Sequence, residues 1–380
     1  MGDAVAELKF RDPARARSLS RALHRVVAGM GRAPITLMHV CGSHEQAIAR
    51  YGLRSALPDA LDVIMGPGCP VCVTDTPEID EAVALALSGV RVATYGDMFR
   101  VPGSSRSLAD ARAEGASVDI VYGVTQAVEL ARGTDEEVVF FASGFETTAV
   151  ATAAAVLAGT PSNFSILSAH KYVPAAMEVV AEMPVTRVEG FLAAGHAATI
   201  TGWGVFEPFV ERFGLPVVVA GFEPLDILAG LLRLVELVAD GTPRVDNAYP
   251  RCVTRAGNVP AQAIMWRVFG MTGGRWRGIA EIPNGNLRLR EEWAEVDARR
   301  RFDVDAGSLG GERPDDDVAR CRCGDIMVGM ASPPDCALFA DRCVPARPVG
   351  ACMVSSEGTC RIWHEYGGHP RFDRVDGGAA

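Results

Sequence analysis

Three short stretches of this 380-residue chain carry most of the side chains that could do chemistry. Cys41-Gly-Ser-His-Glu45, Gly66-Pro-Gly-Cys-Pro-Val-Cys72 and Tyr95-Gly-Asp-Met-Phe-Arg-Val-Pro-Gly103 together offer thiols, an imidazole, carboxylates and an arginine. A thiolate acts as a nucleophile or a soft-metal ligand, and a helix N-terminus favours it over the thiol. Cys41 is expected just before a helix capped by Ser43, and therefore as such a thiolate. His44, close by, could transfer protons or complete a metal site. The alternative is a buried structural cysteine, since free cysteine is among the most buried residue types. A second thiol pair on the neighbouring loop favours the functional reading. Cys69 and Cys72 form a C-P-x-C pair that reads equally as a thioredoxin-type redox dithiol or as a metal chelate.

A second concentration of sulfur lies near the C-terminus. Of ten cysteines, Cys41, Cys69, Cys72 and Cys252 precede residue 320, whereas Cys321, Cys323, Cys336, Cys343, Cys352 and Cys360 crowd together after it. Their spacing lacks the paired C-x₂₋₄-C knuckles of zinc ribbons, and six thiols exceed what a [4Fe–4S] cluster needs. Four ligands plus a redox pair is the simplest partition; a zinc site with spare cysteines is the alternative. In Cys321-Arg-Cys323, alternate residues of an extended segment are expected to point in opposite directions, so only one should face a cluster. Elsewhere, His39 lies inside a strand and reads as a satisfied core histidine. His196, at a strand end, is a weaker site candidate. The Gly144-Phe-Glu-Thr-Thr turn could hold an anion at a helix N-terminus, but Glu146 opposes that. Walker A and G-x-G-x-x-G sequences are absent, and Cys252 reads as structural.

These residues are positioned by a repeating unit. After a helix over 12–30, capped by Asp12 with Pro13 at its first position, the chain alternates β-branched runs, glycine-rich turns and amphipathic helices. The runs fall at 35–40, 61–66, 90–95, 117–123, 137–143, 163–169, 189–195 and 216–221, with helices starting at Ser43, Pro77, Leu108, Thr125, Thr147, Pro174 and Pro224. Such alternation builds parallel sheets covered by helices, the α/β class. Eight runs would suit a TIM barrel, but the long remainder after Thr242 does not belong to one. The expected architecture is two doubly wound parallel-sheet domains plus a small irregular, metal-organised domain, divided as 1–120, 121–244 and 245–380. In open α/β sheets ligands bind at the carboxyl ends of strands, where the three motif loops stand.

Composition narrows the function classes. Hydrophobic residues make up 48% and charged residues 22%, which excludes disorder and collagen. A net charge of −10 argues against a general nucleic-acid or anionic-membrane binder. The first residues lack the apolar core of a secretory signal, and Ala6 breaks the myristoylation pattern. Charge-free stretches such as 147–164 fall short of a membrane span. A cytoplasmic location is expected, where dense cysteines mean metal or redox chemistry.

Together the motifs resemble the HypD family of hydrogenase maturation (hydrogenase formation) proteins. The resemblance rests on Cys41-Gly-Ser-His-Glu45, Gly66-Pro-Gly-Cys-Pro-Val-Cys72, Tyr95-Gly-Asp97 with Pro102-Gly103, Gly144-Phe-Glu-Thr-Thr148 and Gly195-His196. The tail adds Cys321-x-Cys323-Gly, Cys343-x-Pro345 and Gly350-Ala-Cys-Met-Val-Ser-Ser-Glu-Gly-Thr-Cys360. Asn284-Gly-Asn286 stands where the family pattern leads one to expect Ser-Gly-Leu. The resemblance implies two α/β domains and one holding a [4Fe–4S] cluster. It implies an assembly scaffold with redox activity, rather than a conventional turnover enzyme, on which the Fe(CN)₂CO unit of [NiFe]-hydrogenase is built. The implied partners are a HypC-type chaperone and HypE as cyanide donor, with HypF upstream and the hydrogenase large subunit served indirectly. Carried over, Cys41 is the iron ligand, Cys69 and Cys72 the nearby dithiol, and His44 a proton donor or site organiser. By resemblance to the ferredoxin:thioredoxin reductase pattern, Cys321, Cys336, Cys343 and Cys360 are assigned to the cluster and Cys323 with Cys352 to a cluster-adjacent disulfide. The rival readings are a cluster-dependent thiol–disulfide oxidoreductase of that reductase type and a zinc-stabilised interaction protein.

Overall fold

The computed structural model describes residues 11–183, 187–303 and 320–367; the expectation for the first ten residues falls outside them. All eight expected runs form strands, and three more follow. The eleven are β1 (Ile35–His39), β2 (Leu61–Met65), β3 (Arg91–Thr94), β4 (Val118–Ile120), β5 (Val138–Gly144), β6 (Phe164–Lys171), β7 (Gly190–Ala194), β8 (Val217–Ala220), β9 (Val245–Asn247), β10 (Phe269–Trp276) and β11 (Ala280–Leu289). Every residue of β1, β5, β6, β7 and β8 is buried, the pattern of parallel strands covered on both faces. Phe140, Phe141 and Phe164 expose no surface, and each such burial contributes about 1.5–3 kcal/mol.

The strands form two parallel-dominated sheets, ordered β2-β1-β7-β8-β9 and β10-β11-β6-β5-β3-β4. The first is parallel throughout. In the second, β4, β3, β5 and β6 run parallel, while the β10–β11 hairpin adds antiparallel at the β6 edge. The sheets do not divide at residue 120. β3 and β4 pair with the β5–β6 side, and the chain returns after β6 to complete the first sheet with β7, β8 and β9. Local periodicity marks a segment as a strand but carries no term for its partner. In the first sheet the chain winds outward both ways from the β1–β7 pair. That makes a topological switch point, and the carboxyl ends of β1 and β7 flank its crevice.

The hairpin is tied in by charge. Lys171 Nζ donates to Glu78 Oε2 at 2.7 Å, and Arg288 of β11 donates to Glu78 Oε1 at 2.8 Å. Glu78 belongs to helix Thr76–Leu87, which follows the Cys69–Cys72 loop. The residues from 320 onward make short helices, including Cys323–Met327, Ala351–Val354 and Thr359–Tyr366. They share their core with the sheets: one apolar cluster runs from Met38, Val40 and Met65 through Cys69 and Cys72 to Cys336, Cys343, Cys352 and Cys360. No helix among the described residues is long and apolar enough to cross a membrane.

Candidate functional site

Cys41 follows β1 by two residues and is itself the N-cap of helix Gly42–Arg50, one position before the Gly that opens it. Ser43 is not the cap; its hydroxyl donates to Glu357 Oε1 at 3.1 Å. The surroundings do not favour the expected thiolate either. Burial, with the Glu357 carboxylate adding to it, pushes the Cys41 thiol up to about 12 and outweighs the helix-end N–H groups. Desolvating a charge in apolar surroundings costs more than one helix terminus returns. His196 Nδ1 lies 4.0 Å from the sulfur. His196 follows β7 as Cys41 follows β1, so the switch point joins two residues 155 positions apart in the chain.

His44 is fully buried, and its Nε2 donates to the carbonyls of Ala220 (3.3 Å) and Gly221 (3.0 Å) at the end of β8. Burial, with His39 adding to it, holds its pKa down at about 3. Two carbonyl acceptors place the proton on Nε2, which leaves Nδ1 a bare lone pair without a hydrogen-bond partner. His44 therefore organises the loops and is no imidazolium proton donor at neutral pH. Its ring leans on Phe222 at 4.9 Å, and Phe222 also meets His196 at 5.2 Å.

Beneath the helix lies a charged network. Glu45 accepts from His39 Nε2 (2.8 Å), Arg54 Nη2 (2.8 Å) and Trp363 Nε1 (2.6 Å). His39 places its other nitrogen 3.2 Å from the Cys41 carbonyl, as expected of a satisfied core histidine. Burial alone would raise the Glu45 carboxyl, but Arg54 and His39 overcome it and hold it well below the usual range.

The neighbouring loop approaches Cys41 closely. Gly42 N donates to Gly68 O at 3.1 Å, and a Cβ on Gly68 would overlap the Cys41 backbone, so only glycine fits there. Cys69 and Cys72, both buried, are joined as a disulfide, with Cys69 capping the short helix Pro70–Val73. The third loop contributes Asp97, which accepts from Ser355 Oγ, Ser356 N and Ser356 Oγ at 3.1–3.2 Å. Ser355–Thr359 thus straps across all three loops, with Glu357 on Ser43 and Thr359 Oγ1 against Met65 Sδ at 2.7 Å.

The tail sulfurs gather behind this strap. Cys321 and Cys323 both present Sγ to Gly350, on the same side, contrary to the opposite orientation expected of an extended segment. Arg322 is not extended (φ −95°, ψ 24°), and Cys323 opens helix Cys323–Met327, so the alternation rule does not apply. Cys352 N donates to Cys323 Sγ at 3.3 Å, and Val349 N to Cys343 Sγ at 3.3 Å. Cys323 and Cys352 are adjacent, but each is a free thiol. Thiol donation from Cys321 and then Cys352, with Arg277 nearby, pulls Cys323 well below its ordinary value, while both donors are pushed up. Among the described residues, no group of three or more His, Cys, Asp or Glu side chains stands arranged to hold a metal ion. The donor type nonetheless suits a cluster chemically: six buried and half-buried thiols, two of which, Cys321 and Cys323, meet at Gly350.

Sequence reasoning undervalued His196, whose one signal was a Gly-His pair at a strand end, and left Glu357 and Arg277 unread. Glu146 is fully buried at the start of its helix. Its Oε1 accepts from Val173 N (2.9 Å), its Oε2 has no partner, and burial raises it to about 7. Cys252 is exposed.

Residues 14–367 match the HypD family model, described as the hydrogenase formation hypA family. The chain is 43% identical over 372 residues to the hydrogenase maturation factor HypD of Azotobacter vinelandii, covering 94% of this chain and 96% of that one. It is 42% identical over 336 residues to a putative hydrogenase expression/formation protein of Methanocaldococcus jannaschii (87% and 92% covered). The HypD of Cupriavidus necator is 43% identical over 343 residues (87% and 89% covered).

Proposed function

The chain belongs to the HypD family of hydrogenase formation proteins, and from that premise we propose that it is the scaffold on which the Fe(CN)₂CO unit of a [NiFe]-hydrogenase is assembled. The observation that carries this reading is the meeting of Cys41 and His196 at the switch point, with the Cys69–Cys72 disulfide on the adjoining loop. Iron carrying cyanide and CO is soft and suits a thiolate donor. Cys41 Sγ would bind it as cargo, in company with a cysteine of a HypC-type chaperone. The Cys41 proton must leave when iron arrives, and His196 Nδ1, 4.0 Å away, is a base placed to take it. His44 holds the Ala220–Gly221 carbonyls in place on the far side.

Cyanide would come from HypE, with HypF upstream, as a protein thiocyanate. Releasing it balances as R–S–CN plus the reduced Cys69/Cys72 dithiol giving R–SH, hydrogen cyanide and the Cys69–Cys72 disulfide. Two electrons leave the dithiol, its two protons end on the thiol and the cyanide, and the disulfide is the spent form. Cys323 and Cys352 would return that pair to the dithiol by thiol–disulfide exchange. Cys321, Cys336, Cys343 and Cys360 would hold a [4Fe–4S] cluster, which when bound supplies one-electron transfer. This work belongs to the cytoplasm, before the iron unit passes to the hydrogenase large subunit.

The test is anaerobic co-purification with the HypC-type partner, followed by infrared spectroscopy. Wild type should show cyanide and CO stretching bands, and Cys41→Ser should abolish them. Full-intensity bands in Cys41→Ser would sink the reading. The disulfide also favours a second reading, a thiol–disulfide oxidoreductase. That activity would persist in Cys41→Ser and vanish in Cys69→Ser, and no infrared bands would appear in any preparation.

A further inference from the structure

Arg277 sits at the turn between β10 and β11, where the hairpin tip is wedged between the disulfide loop and the tail. Its backbone N–H donates to Val73 O at 3.1 Å, one residue beyond Cys72. Its Nη2 donates to Pro102 O at 2.6 Å, in the third motif loop. On the opposite side the tip abuts the tail: a Cβ on Gly278 would lie 2.9 Å from Gly324 Cα, directly after Cys323. The hairpin tip is thus held from three sides and the guanidinium is anchored on Pro102 O, while its Nη1 is shielded from solvent and has no hydrogen-bond partner.

A shielded guanidinium with an idle donor is costly unless an anion meets it. No carboxylate among the described residues bonds to it. The groups whose negative charge would favour it are Cys323, Cys321, Asp75 and Cys352, in that order, and three of the four are tail thiols. Asp75 is engaged as the cap of helix Thr76–Leu87. We propose that Arg277 is the counter-cation of the tail thiols, placed to balance the negative charge those sulfurs carry once they bind a metal. This rests on the reading of the tail as a metal site and adds a positioning residue that is neither a cysteine nor part of any motif read from the sequence. The sign follows from proton exchange. Free thiols are mostly protonated at neutral pH, and several thiolates around a divalent ion carry net negative charge. Metal loading therefore makes the site more anionic, and a fixed cation favours the loaded state.

The experiment uses the full chain, reduced and stripped of metal, titrated with cadmium(II) against a competing chelator. The readout is the thiolate-to-cadmium charge-transfer band. Arg277→Gln should weaken cadmium binding about tenfold, the scale of losing one charge-assisted contact, whereas Arg277→Lys should stay close to wild type. Arg277→Met, which keeps the apolar stem, is made alongside so that the result does not hang on one neutral variant folding; melting curves of the metal-free chains check this. Wild-type affinity in both neutral variants overturns the proposal. So does an Arg277→Lys variant as weak as Arg277→Gln, because shape rather than charge would then be responsible. A wild-type chain with no cadmium–thiolate band, or one whose band survives undiminished when Cys321, Cys336, Cys343 and Cys360 are all replaced, refutes the metal reading itself and the proposal with it.

Discussion

The Cys41 pocket and the tail cluster use the same functional group in opposite surroundings. Cys41 is a lone thiol enclosed by strand ends and imidazoles, and burial holds its proton in place. Cys323 is half-buried, and two thiols donate to it with Arg277 close by, so its charge is supported. The lesson is that burial alone does not set a thiol's state; what matters is whether donors accompany the sulfur into the interior. The frames differ as well. The Cys41 helix rests on the Glu45–Arg54–Trp363 network, whereas the tail thiols are held by one another, by backbone N–H groups and by the arginine behind them.

The strongest test of this contrast separates the two sulfur sites. Replacing Cys321, Cys336, Cys343 or Cys360 by Ala should remove the absorbance near ~400 nm expected of a bound cluster. Cys323→Ala and Cys352→Ala should keep the colour and lose maturation activity. Colour lost in Cys323→Ala and kept in Cys321→Ala, read by absorbance of anaerobically purified protein, would reverse the partition.

Next in size is the frame beneath Cys41. Glu45→Gln leaves Arg54 buried with its charge uncompensated, and breaking such a pair costs about 3–5 kcal/mol in chemical denaturation. A loss below about 1 kcal/mol would mean the network does not support the pocket.

Acid should act on the pocket as well. His44 has its pKa depressed to about 3, against about 6.5 for the unfolded chain, so its contribution is present above about pH 6.5 and is lost as pH falls toward 3. At pH 5 the loss is about 2 kcal/mol, and a His44→Gln variant should show a correspondingly flatter stability–pH curve. Parallel curves for the two proteins would show that His44 is not buried neutral.

The smallest effect concerns the strap. Ser43→Ala removes one hydrogen bond to Glu357, worth about 1 kcal/mol, and should speed amide exchange in 355–359 while leaving the Cys323 region unchanged. Equal exchange in both proteins would show that the strap is held by Asp97 and packing alone.

Much of the scaffold was readable along the chain. β-branched runs punctuated by glycine located the first eight strands, and Asp12 as a cap and Pro224 as a first helical residue placed helix starts, because both signals act between residues close in sequence. The hairpin β10–β11 escaped notice because its glycines and arginines mask any alternation, and its strands are defined by pairing with each other and, at two positions, with β6. Residue types at the motif loops were likewise legible, and with them the family.

Partnership was not. Periodicity could not tell that β1 would pair with β7 across more than a hundred intervening residues, and without that pairing His196 has no reason to matter to Cys41. The protonation of Cys41 was misjudged because a helix terminus can be read locally, whereas desolvation is summed over everything that packs around the sulfur. The side on which Cys321 and Cys323 meet turned on one backbone rotation at Arg322, and the charge facing them comes from a hairpin tip some 45 residues earlier in the chain. Types and spacings of the reactive groups are properties of the sequence. Their neighbours, their charge and their access to one another arise only when distant segments share one interior.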